Sequence, residues 1–277
     1  MLGAIIGDIA GSRFEFDPTN DYNFELFFRE CNFTDDTICT IAVADALLKH
    51  RDFGESIHDW CRRYPHPMGG YGGRFAAWVR SDNPQPYNSF GNGAAMRVSP
   101  VAWWAHNLTD VEMLAQETAR CTHNHPEGIK GAQAVAAAIY ECLFMQLDLA
   151  RKGKTPTKDD IINIGLKIAL ELSGYNIRLL LKDVQNRFDE TCQGNVPVAL
   201  WIISESSSFE DAVRRAVSLG ADADTLGAIV GSIAEAIWGI SDKMKKQALS
   251  FLPQEMKDVV EEFYKVCTQN QILKLNT

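Results

Sequence analysis

The chain has 277 residues, 46% of them hydrophobic and 23% charged, and carries a formal net charge of −9 at pH 7. That balance suffices for a sizeable core, and the acidic charge without a basic stretch excludes a general nucleic-acid binder. Seven cysteines (31, 39, 61, 121, 142, 192 and 267) are scattered, odd in number and never spaced Cys-x-x-Cys, which excludes a disulfide framework or a zinc site of the usual kind.

The apolar start Met1–Gly7 is interrupted by Asp8 and has no basic residues before it, so it reads as neither signal peptide nor membrane span. A soluble, cytoplasmic protein is the expectation. Residues 2–12 read as a buried helix carrying Gly3, Gly7 and Gly11 on one stripe. Glycine is a poor helix former, so the stripe predicts close approach of another backbone. Gly3–Ala10 matches Gly227–Ala234 at six of eight positions, and the two segments are expected to pack together as central helices.

Residues 17–32 read as an irregular connection followed by an aromatic-rich turn, after which Thr34-Asp35-Asp36-Thr37 opens a helix running to Leu48. A helix over 54–63 follows. Residues 64–97, with Gly69-Gly70-Tyr71-Gly72-Gly73 and Ser89-Phe90-Gly91-Asn92-Gly93, read as a long irregular region of functional character. Further helices are predicted near 93–107, 110–122, 127–150, 158–173, 176–188, 195–206, 208–219, 225–239, 241–251 and 254–267. Thr157 or Lys158 stands near a helix start. Alternating β-branched runs are almost absent, so an all-α, compact, single-domain orthogonal multi-helix bundle over residues 1–277 is expected.

Two acidic clusters stand out, Thr34-Asp35-Asp36-Thr37 and Gly220-Ala221-Asp222-Ala223-Asp224-Thr225. Each alone reads as helix capping. Brought together, four carboxylates would repel strongly, and hard oxygen donors of this kind suit a divalent cation of the magnesium type. Asp222 and Asp224 are read as preceding their helix, free to converge.

These clusters, with Gly7-Asp8…Glu15 and Gly91-Asn92-Gly93-Ala94-Ala95-Met96-Arg97, occur in the order seen in the ADP-ribosylglycohydrolase family, which the chain resembles from about residue 2 to residue 240. The resemblance implies an all-α bundle holding two Mg2+ ions, or Mn2+ in their place, with Thr34, Asp35, Asp36, Asp222, Asp224 and Thr225 as metal ligands. It implies hydrolysis of the C1″ bond between ADP-ribose and an acceptor, with Asp35 or Asp36 assisting a water and Glu15 on the ribose 2″-hydroxyl. Glu15, Ser89, Phe90, Gly91, Asn92, Gly93 and His123 become the implied ADP-ribose contacts, Gly91–Gly93 through backbone N–H groups. Without the resemblance, Phe90 reads equally as a core aromatic. Arg97 is left between a phosphate contact and a structural salt bridge, and His125 is read as a helix start or loop residue.

Relatives carry a glycine and a threonine where this chain has Ala221 and Ala223, spacer positions only. The arginine-linkage branch is expected to place an aspartate near Tyr71. Here the loop is closer to the serine-linkage branch, which leaves the linkage open. The implied partners are ADP-ribose or an ADP-ribosylated protein or small molecule, with ADP-ribosylated nucleic acid as a further acceptor; no membrane is involved and a monomer is favoured. The competing readings are an inactive ADP-ribose-binding or structural protein of the same fold, as the family includes a lens crystallin, and a di-metal phosphate-ester hydrolase.

Overall fold

The computed structural model describes residues 1–275. Its helices are α1 (Leu2–Gly11), α2 (Asp35–Lys49), α3 (Phe53–Arg63), α4 (Gly73–Arg80), α5 (Gly93–Met96), α6 (Ser99–Trp104), α7 (Leu108–Arg120) and α8 (Pro126–Arg151). There follow α9 (Lys158–Asp160), α10 (Lys167–Ser173), α11 (Leu181–Val184), α12 (Cys192–Glu205), α13 (Phe209–Val217), α14 (Ala223–Trp238), α15 (Asp242–Ser250) and α16 (Gln254–Leu275). Among the described residues the sole β pairing is an isolated bridge between Gly91 and Thr191. The fold is all-α, as expected.

The centre of the bundle is the seam between α1 and α14. All ten residues of α1 are buried, and so is every residue of α14 from Ala223 to Ile237. A helix apolar on every side has no solvent face to offer and belongs inside. The glycine stripe is what lets these two meet: a Cβ on Gly7 would collide with the Gly227 carbonyl, and one on Gly227 would lie 2.5 Å from the Gly7 oxygen. Gly3 faces Gly231 and Gly11 faces Ala223 in the same way. The expected pairing is present, and α8, α12 and α13 pack around it.

Helix starts follow local chemistry. Thr34, Asp52, Asn107, Thr157, Ser208 and Ser241 each accept a first-turn N–H with their side chain. His125 does so too, its Nδ1 accepting from the Glu127 N–H at 3.1 Å, which places it as a helix start.

Four expectations are corrected. The predicted helix over 93–107 is two short ones, because Pro100 lacks the N–H a continuous helix would need and sits instead at the start of α6. The span 176–188 holds only α11; Ile177 and Val184 pack against the core, but Leu180 and Leu181 are exposed and Asn186 takes a positive φ of 57°, which breaks a continuous helix. The region 64–97 is not irregular throughout, since α4 buries Phe75, Trp78 and Val79 at helical spacing. The predicted helix 158–173 is interrupted by a wider π turn over Ile161–Gly165.

Candidate active site

A cavity of about 420 Å³ opens between the start of α2, the start of α14, the Gly69–Gly73 loop and the Ser89–Gly93 loop. Its size suits a ligand of nucleotide scale. Glu15, Asp35, Asp36, Asp222, Asp224 and Thr225 line it, as do Ser89, Gly91, Asn92, Gly93 and His123. Thr34 is buried just behind the wall, and Phe90 stands outside it.

The carboxylates converge from three helices. One oxygen from each of Asp8, Asp36 and Asp224 lies within 4.8 Å of the others, all three side chains being buried. Asp224 is inside the first turn of α14 rather than before it, correcting the expectation, while Asp222 is the N-cap residue but makes no side-chain cap bond. Asp222 is held instead by the Asn92 amide at 2.6 Å. Asp36 accepts from the Thr225 hydroxyl at 3.2 Å and the Thr34 hydroxyl at 3.4 Å. Thr34 Oγ1 in turn accepts the Asp36 N–H, so the capping reading holds for this residue. Asp8 clamps the α2 start from below, one oxygen accepting from the Thr34 N–H at 3.0 Å, the Thr37 N–H at 3.1 Å and the Thr37 hydroxyl.

After these bonds are counted, four buried carboxylate oxygens of this cluster and its rim have no partner among the described residues: Asp8 Oδ1, Glu15 Oε2, Asp36 Oδ1 and Asp224 Oδ1. Burial, then mutual repulsion, pushes Asp35, Asp36 and Asp224 well above the usual carboxylate range. Burial lifts Asp8 to about 6 and Asp222 to about 7. Glu15, at the rim, is raised to about 8 by burial and by the charges of Asp224, Asp8 and Glu190. Gly69, with a φ of 76°, brings its backbone against the Glu15 carboxylate where a side chain would collide. Orphaned hard oxygens in a like-charged cradle fit a divalent cation.

The opposite wall is built differently from the expectation. The Gly91 N–H donates to Ser89 Oγ at 3.1 Å and the Asn92 N–H to the Glu190 carbonyl at 2.7 Å, so neither faces a ligand. Ser89, having accepted from Gly91, retains its own hydroxyl proton to donate. Arg97 lines the cavity and forms no salt bridge among the described residues. It is buried, donating to the Thr118 carbonyl at 2.9 Å and to Thr122 Oγ1 at 2.7 Å. Thr122 Oγ1 also lies 2.7 Å from His123 Nδ1. Since that oxygen accepts from Arg97, its proton goes to Nδ1, and Nε2 of the neutral ring is the N–H, assigned from this network. Burial, with the positive charges of Arg97 and Arg74, holds His123 well below the usual histidine range, hence uncharged. Phe90 is 42% exposed and edge-on to His125, which corrects the core reading.

Two site residues escaped the sequence reading. Asp8 was visible only as part of a motif, and its meeting with Asp36 and Asp224 depends on the α1–α14 crossing. Glu190, which also lines the cavity, had no signal beyond its charge.

The sequence matches the ADP-ribosylglycohydrolase family over residues 1–273. Among curated relatives, ADP-ribosylarginine hydrolase Tri1 of Pseudomonas putida is 27% identical, over 87% of this chain and 70% of the relative. ADP-ribosylhydrolase ARH3 of Mus musculus is 26% identical, over 87% and 83%. A solved structure described as an ADP-ribosylglycohydrolase-related protein complex shares the fold, with a TM-score of 0.67 at 24% identity over 96% of this chain and 95% of that one. The matched span takes in the carboxylate cradle, the rim glutamate and both loops of the cavity, and the chain belongs to the ADP-ribosylglycohydrolase family, a family of glycosidic hydrolases.

Proposed function

We propose that the protein releases ADP-ribose from a modified acceptor by cleaving the C1″ bond with water, in a centre holding two Mg2+ ions or Mn2+ in their place. The carrying observation is the set of unpartnered buried carboxylate oxygens on Glu15, Asp36 and Asp224, which line one cavity, with Asp8 clustered against Asp36 and Asp224. Asp36, Asp224, Asp35, Asp222 and the Thr34 and Thr225 hydroxyls are the ligand set, with Asp8 Oδ1 within reach of the same cluster. When bound, divalent cations would neutralise this charge, hold ribose hydroxyls and acidify a water.

The chain's own groups divide the remaining work. Asp35 is half-buried on the cavity wall, where its carboxylate can accept a proton from water approaching C1″. The negative cradle favours the oxocarbenium-like charge that develops as the bond breaks. The electron pair of that bond, with a proton, leaves on the acceptor, and the water oxygen remains on C1″. Glu15 at the rim accepts a ribose hydroxyl. Ser89 Oγ–H and His123 Nε2–H are neutral donors for phosphate oxygens, and Arg74, stacked over Tyr87, brings a positive charge to the same side.

The test is ADP-ribose release in magnesium and in chelator. The panel covers arginine-, serine- and carboxylate-linked ADP-ribose, poly-ADP-ribose, O-acetyl-ADP-ribose and ADP-ribosylated nucleic acid. Magnesium-dependent release from at least one, strongly reduced by Asp35→Asn and Asp36→Asn, is expected. Binding of ADP-ribose without release from any would overturn the catalytic reading in favour of an inactive binder.

A further inference from the structure

Glu190 is a carboxylate on the cavity wall that the cation cradle does not use. Its segment is fixed rather than loose. The Asn92 N–H donates to the Glu190 carbonyl at 2.7 Å, the Cys192 N–H to the Phe90 carbonyl at 2.9 Å, and Gly91 bridges Thr191. Residues 190–192 therefore lie alongside residues 90–92 and carry Glu190 to the Ser89–Gly93 side of the cavity. The side chain is exposed and takes no hydrogen bond or ion pair among the described residues. It lines the same cavity as Glu15 and Asp222.

A carboxylate here opposes any diphosphate entering the site, and no cation among the described residues pairs with it to cancel that cost. It becomes favourable only by accepting hydrogen bonds from neutral donors on the ligand. A nucleoside offers such donors as the vicinal hydroxyls of its ribose. Carboxylates on dinucleotide sites use this chemistry to read a free 2′-hydroxyl, and the same charge repels a 2′-phosphate. We propose that Glu190 is a specificity-determining residue of the cavity. It accepts from the adenosine-ribose hydroxyls of ADP-ribose on the Ser89–Gly93 side and rejects ligands phosphorylated at the 2′ position. This rests on the ADP-ribose reading above.

The test is calorimetry on the magnesium-loaded full chain with ADP-ribose and with 2′-phospho-ADP-ribose, comparing wild type with Glu190→Gln. The wild type is expected to favour ADP-ribose by about thirtyfold or more, a hydroxyl bond to a charged acceptor having been lost and repulsion gained. In Glu190→Gln, ADP-ribose weakens about tenfold, the 2′-phosphate form does not weaken, and the preference falls to a few-fold. Melting temperature and magnesium affinity stay at wild-type values. An unchanged preference in Glu190→Gln overturns the assignment. So does a loss of ADP-ribose affinity that disappears when adenine is replaced by hypoxanthine, which would put Glu190 on the base. If the wild type binds neither ligand, the ADP-ribose reading itself falls, a result distinct from both.

Discussion

Gly227→Ala sets two physical effects of opposite sign against each other. Helix propensity alone predicts stabilisation by about 1 kcal/mol, since alanine replaces glycine in the middle of α14. The α1–α14 seam predicts the reverse. The new Cβ would lie 2.5 Å from the Gly7 oxygen and 3.0 Å from its carbonyl carbon, where ordinary contact begins at 3.4 Å. The helices must separate by roughly 0.9 Å, and a gap of that size forfeits a quarter to a half of each dispersion contact along the seam. Overpacking of this kind costs about 1–3 kcal/mol, and the obstacle here is backbone on both sides. Set against the propensity gain, the net expectation is a loss of up to about 2 kcal/mol, read as a lower urea midpoint at unchanged m-value. The same separation draws Asp8 away from Asp224, so magnesium affinity should fall as well. Gly73→Ala is the control, since no atom lies within 4 Å of its Cβ position and propensity alone acts there. Gly227→Ala as stable as that control, with unchanged magnesium affinity, would refute the reasoning.

Asp36→Asn should raise the melting temperature in chelator, because it removes a buried charge while keeping an oxygen to accept from Thr34 and Thr225. It should also weaken magnesium binding and ADP-ribose release by roughly 100-fold, measured by calorimetry and turnover; a lower melting temperature in chelator would contradict the cradle account. Stability of the cation-free protein should fall as pH rises from about 4 to 8. Asp8, Asp222 and Glu15 have folded-state values near 6, 7 and 8 and ordinary unfolded ones, so the folded chain binds more protons and loses stability as they ionise. Asp8 alone, moved from 3.8 to about 6, contributes on the order of 3 kcal/mol. Saturating magnesium should flatten the profile, and a chelator profile already flat would count against it. Thr122→Val removes the oxygen between Arg97 and His123 and frees the ring tautomer. It should weaken ADP-ribose binding by about five- to tenfold without changing magnesium affinity, both read by calorimetry.

Legibility in the sequence varied with how local each cause is. The caps at Thr34, Thr157 and His125 depend on a side chain and an N–H two or three residues away, and all were readable. The helix over 73–80 was also readable in principle, from Phe75, Trp78 and Val79, but the surrounding glycines masked its period. The span 176–188 shows the converse. Ile177, Leu181, Val184 and Phe188 fall at helical spacing, yet Leu181 and Phe188 meet solvent, and a period without a partner surface does not make a helix. The backbone donors of Gly91 and Asn92 illustrate a third case. A glycine loop reads as open to a ligand, but its N–H groups are consumed by Ser89 and Glu190, one of them a hundred residues away in sequence.

The glycine stripe links the core to the chemistry more tightly than either reading alone implied. Gly7 and Gly11 meet Gly227 and Ala223 across the seam, and Asp8 and Asp224 are the chain neighbours of Gly7 and Ala223. The approach that excludes every Cβ on this stripe is therefore also what sets an oxygen of Asp8 within 4.8 Å of one on Asp224. Asp8 extends the same register to α2 by accepting from Thr34 and Thr37, and so fixes where Asp36 enters the cradle. Three helix positions are thus determined by one spacing. A substitution that leaves every ligand residue intact but widens the seam should weaken metal binding, whereas a comparable loss of stability placed in α15 or α16 should not.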